Sequence, residues 1–68
     1  MDVDSAAIQT IDYDNERAKL FVRFVSGERY VYVGVPAEVC RSFLDADSKG
    51  HFFHAEIRDQ YPYNRLDS

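Results

Sequence analysis

The segment Lys19–Phe24 constrains the fold most. Leu20, Val22 and Phe24 alternate with Lys19, Phe21 and Arg23, the period-two pattern of a strand that lays one face on a core. Ser26-Gly27 follows, and glycine accepts the positive φ that hairpin turns need. Tyr30 to Val35 is rich in aromatic and β-branched residues, which suit a pleated, half-buried surface. Upstream, Ala7 to Tyr13 carries Ile8, Ile11 and Tyr13. Ile11 and Tyr13 alternate, but Ile8 is out of step by one, which a bulge near Gln9 explains. Between these strands, Asp14-Asn15-Glu16 has turn chemistry, because Asp and Asn side chains bond nearby backbone.

Pro36 ends this strand region: it supplies no ladder donor and suits the start of a helix. Ala37 to Asp47 places Val39, Phe43 and Ala46 at helical spacing, joined by Cys40 and Leu44. Glu38 sits where the helix dipole favours an anion. Ser48 is a predicted N-cap of a second helix, with Phe53, Ile57 and Tyr61 on one stripe. Pro62 stops it, leaving Tyr63 to Ser68 as a tail. The predicted fold is α+β: a three-stranded antiparallel β-meander followed by two helices packed on one face. Its predicted core is Ile11, Leu20, Val22, Phe24, Val39, Phe43, Leu44, Phe53 and Ile57.

The chain has 68 residues, enough for one domain, with residues 1–4 and 67–68 as frayed ends. A domain this small buries only about 60% of the surface its unfolded chain exposes. Five Phe and five Tyr can fill its core with few side chains,. One cysteine, Cys40, excludes an internal disulfide and fits a reducing compartment. No apolar run reaches a membrane-span length, and the acidic start Met1–Ser5 is unlike a signal peptide,. A cytoplasmic protein is expected.

The order of several short pieces resembles a known family. Leu20-x-Val22-x-Phe24-x-x-Gly27-x-x-Tyr30-x-Tyr32 leads to Val35-Pro36. Then come Ser48-x-Gly50-x-Phe52-Phe53, Ile57-Arg58 and Tyr61-Pro62. This is similar to the KTSC domain, named for the lysyl-tRNA synthetase C-terminus and also found as free-standing small bacterial or phage proteins. The resemblance spans about Ser5 to Leu66. It implies a domain whose function is not established, with RNA binding suggested. Where the family reads Tyr-Phe-Asn, this chain reads Phe52-Phe53-His54, so His54 either replaces that Asn or its contact is lost.

Three places can carry chemistry. Tyr30 and Tyr32 share one face of a strand, and the turn decides which. A two-residue Ser26-Gly27 loop pairs Arg23 with Tyr30, giving an open face where rings stack on bases beside Arg23 and Lys19. A three-residue Val25-Ser26-Gly27 loop pairs Val22 with Tyr30 and turns the tyrosines to the core, the choice that a small domain's need for core volume favours. His51, His54 and Arg58 share a helix face, with Ser48 and Gly50 at an N-terminus that attracts anions. The competing reading is a capped helix with a solvated polar face. Metal would need a third ligand, from Cys40 or Asp47, beside His51 and His54, so none is expected. Cys40 lies in an apolar stretch, where cysteine is more often inert core than nucleophile.

Twelve acidic residues against eight basic ones give a net charge of -4. That balance disfavours nucleic acid at long range. The leading expectation is therefore a non-catalytic interaction module that binds a protein partner and uses no cofactor. The alternative is RNA binding through Tyr30, Tyr32, Arg23 and Arg58. A small-substrate enzyme ranks third, because so short a chain has little room for a cleft of about 300 Å³.

Overall fold

The computed structural model describes residues 8–66. The predicted frayed ends, and Ala7 at the start of the first strand, lie outside the described residues. Strands β1 (Ile8–Asp14), β2 (Lys19–Phe24) and β3 (Arg29–Val33) are followed by helix α1 (Ala37–Asp45) and helix α2 (Lys49–Phe52). A π-helical turn, Phe53–Ile57, continues α2, and a short strand β4 (Tyr63–Arg65) closes the order. The sheet runs β1-β2-β3-β4 and every pair is antiparallel.

Local chemistry sets each connection. The β1–β2 register shifts between Ile8 and Thr10, the bulge that the misphased Ile8 predicted. The Asp14 carboxylate accepts the backbone N–H groups of Glu16 and Arg17, at 3.1 and 3.2 Å. The β2–β3 loop has three residues: Phe24 N–H donates to Glu28 O, and Gly27 N–H to Phe24 O. Gly27 takes φ +102°, a conformation that costs glycine little. Val22 therefore faces Tyr30, and Leu20 faces Tyr32. Both tyrosines lie on the core side.

The sheet departs from the prediction at both ends of its later strands. β3 stops at Val33 rather than Val35, because Gly34 at φ +81° swings the chain away. The N–H groups of Gly34 and Val35 then both donate to Ala18 O at 2.9 Å. The Tyr13 hydroxyl donates to Val35 O at 2.6 Å, so Val35 enters the core from a loop. The predicted tail contains a fourth strand. Tyr63 lies opposite Tyr32, Asn64 opposite Val31 and Arg65 opposite Tyr30. Three residues are too few to display a period-two pattern, so the strand is invisible until its neighbour is in place.

The helices pack on the face that carries Leu20, Val22 and Tyr32. With them, Val35, Cys40, Phe43, Phe53 and Ile57 form one buried cluster. Helix α1 ends at Asp45, two residues early, as Ala46 turns to extended backbone. Ser48 caps α2, its hydroxyl accepting His51 N–H at 3.2 Å. Ile11, Phe24, Val39 and Tyr61 are partly buried against the cluster. Leu44 is 50% exposed, against expectation. It is turned about 100° from Phe43 along the helix, away from the side that Val39, Cys40 and Phe43 share.

These positions predict unequal losses. Phe43 is fully buried, so Phe43→Ala should cost about 3–5 kcal/mol. Leu44→Ala should stay within about 0.5 kcal/mol. Urea midpoints of the two variants check both, and equal midpoints would refute the assignment of the α1 core face.

Candidate functional site

The three-residue loop and β4 together assemble a row of rings. Tyr30 and Tyr32 point to the helix side, and Tyr63 joins them from β4. Ring centroids lie 5.4 Å apart for Tyr32 and Tyr63, and 5.7 Å for Tyr30 and Tyr63. Phe53 meets Tyr32 and Phe24 edge-on, at 5.5 and 5.6 Å, a geometry that aromatic quadrupoles favour.

The π turn forms the opposite wall. Arg58 N–H donates to Phe53 O, five residues back, as in the π turns often found at functional sites. Phe53 and Ile57 point inward and are buried. His54 and Arg58 stand on the groove side, and Arg58 Nη1 lies 2.9 Å from His54 Nδ1. Guanidinium can only donate, so His54 Nδ1 is the acceptor in this contact.

Between the walls lies a groove of about 450 Å³, its margins including Glu28 and Asp59. That volume falls within the roughly 300–1,000 Å³ of ligand sites. It corrects the expectation that so short a chain lacks room for a cleft. One face of the sheet and the α2–π-turn segment suffice, because the groove is open on one side rather than enclosed.

The groove brings together Tyr30, Tyr32, His54 and Arg58 from the predicted site residues, with Gly50 beside them. Ser48 and His51 meet through the cap, and neither lines the groove. α2 spans four residues, too short for the anion site envisaged at its N-terminus. Arg23 lies across the sheet, in register with Thr10 and Arg29 on the side away from the helices. Tyr63 was missed, and its signal was the aromatic that directly follows Pro62. Glu28 and Asp59 gave no signal, since isolated carboxylates read as surface.

Electrostatics separate the buried groups from the open ones. Tyr32 is only 3% exposed, Tyr63 54%. Burial pushes the Tyr32 phenol up to about 12, and the neighbouring phenols of Tyr63 and Tyr30 add to this while Arg58 opposes it. Burial also raises the Cys40 thiol, the reverse of what a thiolate nucleophile needs. Among the described residues, no three His, Cys, Asp or Glu side chains gather as a metal site. No described helix is long and apolar enough to cross a membrane.

The KTSC domain model matches residues 4–61. The chain belongs to the KTSC domain family. A KTSC domain protein from Yersinia pestis, known from its crystal structure, superposes with a TM-score of 0.86 at 32% identity, over 98% of this chain and 94% of that one. An uncharacterised protein of Stutzerimonas stutzeri is 39% identical over 96% of this chain and 93% of its own length. A lysine–tRNA ligase of Nostoc is 33% identical over 93% of this chain, which corresponds to only 11% of the ligase. The same unit thus occurs both nearly alone and as a small part of a large enzyme.

The Tyr32 environment has a measurable consequence. An unfolded phenol ionises near 10.0 and the folded one near 12. The stability this contributes is fully present below pH 10 and is lost as pH rises toward 12, because only the unfolded state releases the proton in that window. Phenolate absorbance should show one of the five tyrosines titrating late, and Tyr32→Phe should abolish that late step. A late step that survives Tyr32→Phe would assign it elsewhere.

Proposed function

We propose that this KTSC domain is a non-catalytic interaction module that receives a segment of a partner protein in its aromatic groove. The groove itself carries this reading: three tyrosines on one wall, the His54–Arg58 pair on the other, and Glu28 and Asp59 at its margins. Tyrosines and arginines supply much of the energy of protein interfaces. The mixed charges suit a peptide that carries both signs. The raised Cys40 pKa agrees with a binding role rather than thiol catalysis. A cytoplasmic setting belongs to the same proposal, and the buried free thiol of Cys40 fits a reducing compartment.

A second reading has one observation in its favour. Similar sequence forms part of lysine–tRNA ligases, proteins that act on tRNA by name. In that version RNA would meet Tyr63 and Arg58. The stacking platform expected of Tyr30 and Tyr32 is weaker, because Tyr32 is buried beneath Phe53 and Tyr63.

Peptides selected from a random library and titrated into isotope-labelled protein test the two readings. Shifts should cluster on Tyr30, Tyr63, His54 and Arg58. Tyr63→Ala should weaken binding about tenfold, as loss of an interface anchor does. Peptide shifts that avoid the groove would reject the protein-partner reading. Short single-stranded RNA, titrated at low salt, decides the other: groove shifts that fade with added salt select RNA, and silence at low salt removes it.

A further inference from the structure

The side of the sheet away from the helices presents an unusual pair. Arg23 and Arg29 lie directly opposite each other on β2 and β3. The ladder bond from Phe24 N–H to Glu28 O puts the next pair, Arg23 and Arg29, at a non-hydrogen-bonded position, where Cα atoms approach to about 4.5 Å. Like charges opposed in this way destabilise a sheet. Neither guanidinium is ion-paired among the described residues. Asp12, on the same side and opposite Phe21, forms no ion pair with either. The two guanidiniums thus outnumber the one carboxylate of that cavity, Asp12, in a chain whose net charge is -4. Both arginines line a cavity of about 370 Å³ with Phe21, Thr10, Asp12 and Leu66.

We infer that this cavity is a second binding site, taking a small-molecule phosphate monoester with its phosphate between Arg23 and Arg29 and its organic part against Phe21. The paired guanidiniums select the ligand class. A phosphate monoester carries roughly -1.5 to -2 near neutral pH, which neutralises both guanidiniums at once. Their planar donors match its oxygens two at a time. Phe21 and Leu66 offer apolar contact on the same floor. The paired guanidiniums lie on the sheet face away from the groove, although Tyr30 lines both recesses, and the inference does not rest on the protein-partner reading.

Titration of isotope-labelled protein with inorganic phosphate, phenyl phosphate and phenol tests this. Both phosphates should shift Phe21, Arg23 and Arg29, phenyl phosphate more tightly, and phenol should shift none of them. Arg23→Gln and Arg29→Gln should each weaken phenyl phosphate about tenfold or more, the loss expected for a charge-assisted contact. Each variant should also melt no lower than the parent, since its repulsion is relieved. Absence of phosphate shifts at these residues, or undiminished affinity in both variants, would overturn the inference. So would lower melting temperatures in both variants, because the pair would then serve the fold.

Discussion

Val25, Ser26 and Gly27 join β2 to β3, and Gly27 takes φ +102° to close the loop. The count of three sets the pairing of Val22 with Tyr30 and of Leu20 with Tyr32. Because side chains alternate with a period of two, a slip of one residue would send every β3 side chain to the other face. The tyrosines would then face away from the helices, and Arg29 and Val31 would enter the core. Both surfaces discussed above, the aromatic groove and the paired guanidiniums, thus depend on one loop. Its energetic weight comes from the core, since Leu20, Val22 and Tyr32 are all buried and a slipped register would expose Tyr32 while burying a charge.

The groove is walled by rings laid over a core that also holds Leu20, Val22, Val35 and Ile57. Phe24, Tyr30, Tyr32, Phe53 and Tyr63 form a continuous chain of contacts between 5.4 and 6.5 Å. Rings that meet edge-on or tilted stand off from one another and leave a recess at the sheet edge. The π turn forms the far wall of that recess. It directs Phe53 and Ile57 inward while His54 and Arg58 bond on its groove side. Tyr13 adds a tether elsewhere, holding Val35 by a hydroxyl bond across 22 positions of sequence. In a domain with few elements, each such tether fixes where a loop residue enters the core.

Strands with a clean alternation were legible. So was the bulge, because Ile8 and Ile11 can share a strand face only if one extra residue is inserted between them. Ser48 was legible as a cap because its hydroxyl has one obvious acceptor role ahead of a helical stripe. β4 was not legible: Tyr63, Asn64 and Arg65 acquire strand geometry only from β3, through pairing that no local pattern encodes. The π turn was hidden for a similar reason, since Phe53 and Ile57 share a face at helical spacing whichever bond closes the turn. Leu44 misled because spacing from Cys40 looked right, whereas the side that meets the sheet is centred toward Val39 and Phe43. At the candidate site, Tyr30, Tyr32, His54 and Arg58 were named from separate arguments. Their convergence depended on β4 and the π turn, the two elements that sequence did not reveal.

Residues adjacent in sequence serve opposite surfaces. Arg29 faces the open side while Tyr30 faces the groove, and Phe21 and Val22 divide in the same way. The two recesses open mainly on opposite faces of the sheet, and Tyr30 lines both of them. Substitutions on separate sides with no shared partner tend to act additively, so away from Tyr30, which lines both recesses, each surface can vary in charge and shape without disturbing the other. The shared dependence is the register. Ligands on either face that favour the observed pairing would stabilise the same hairpin, and through it would stabilise the fold.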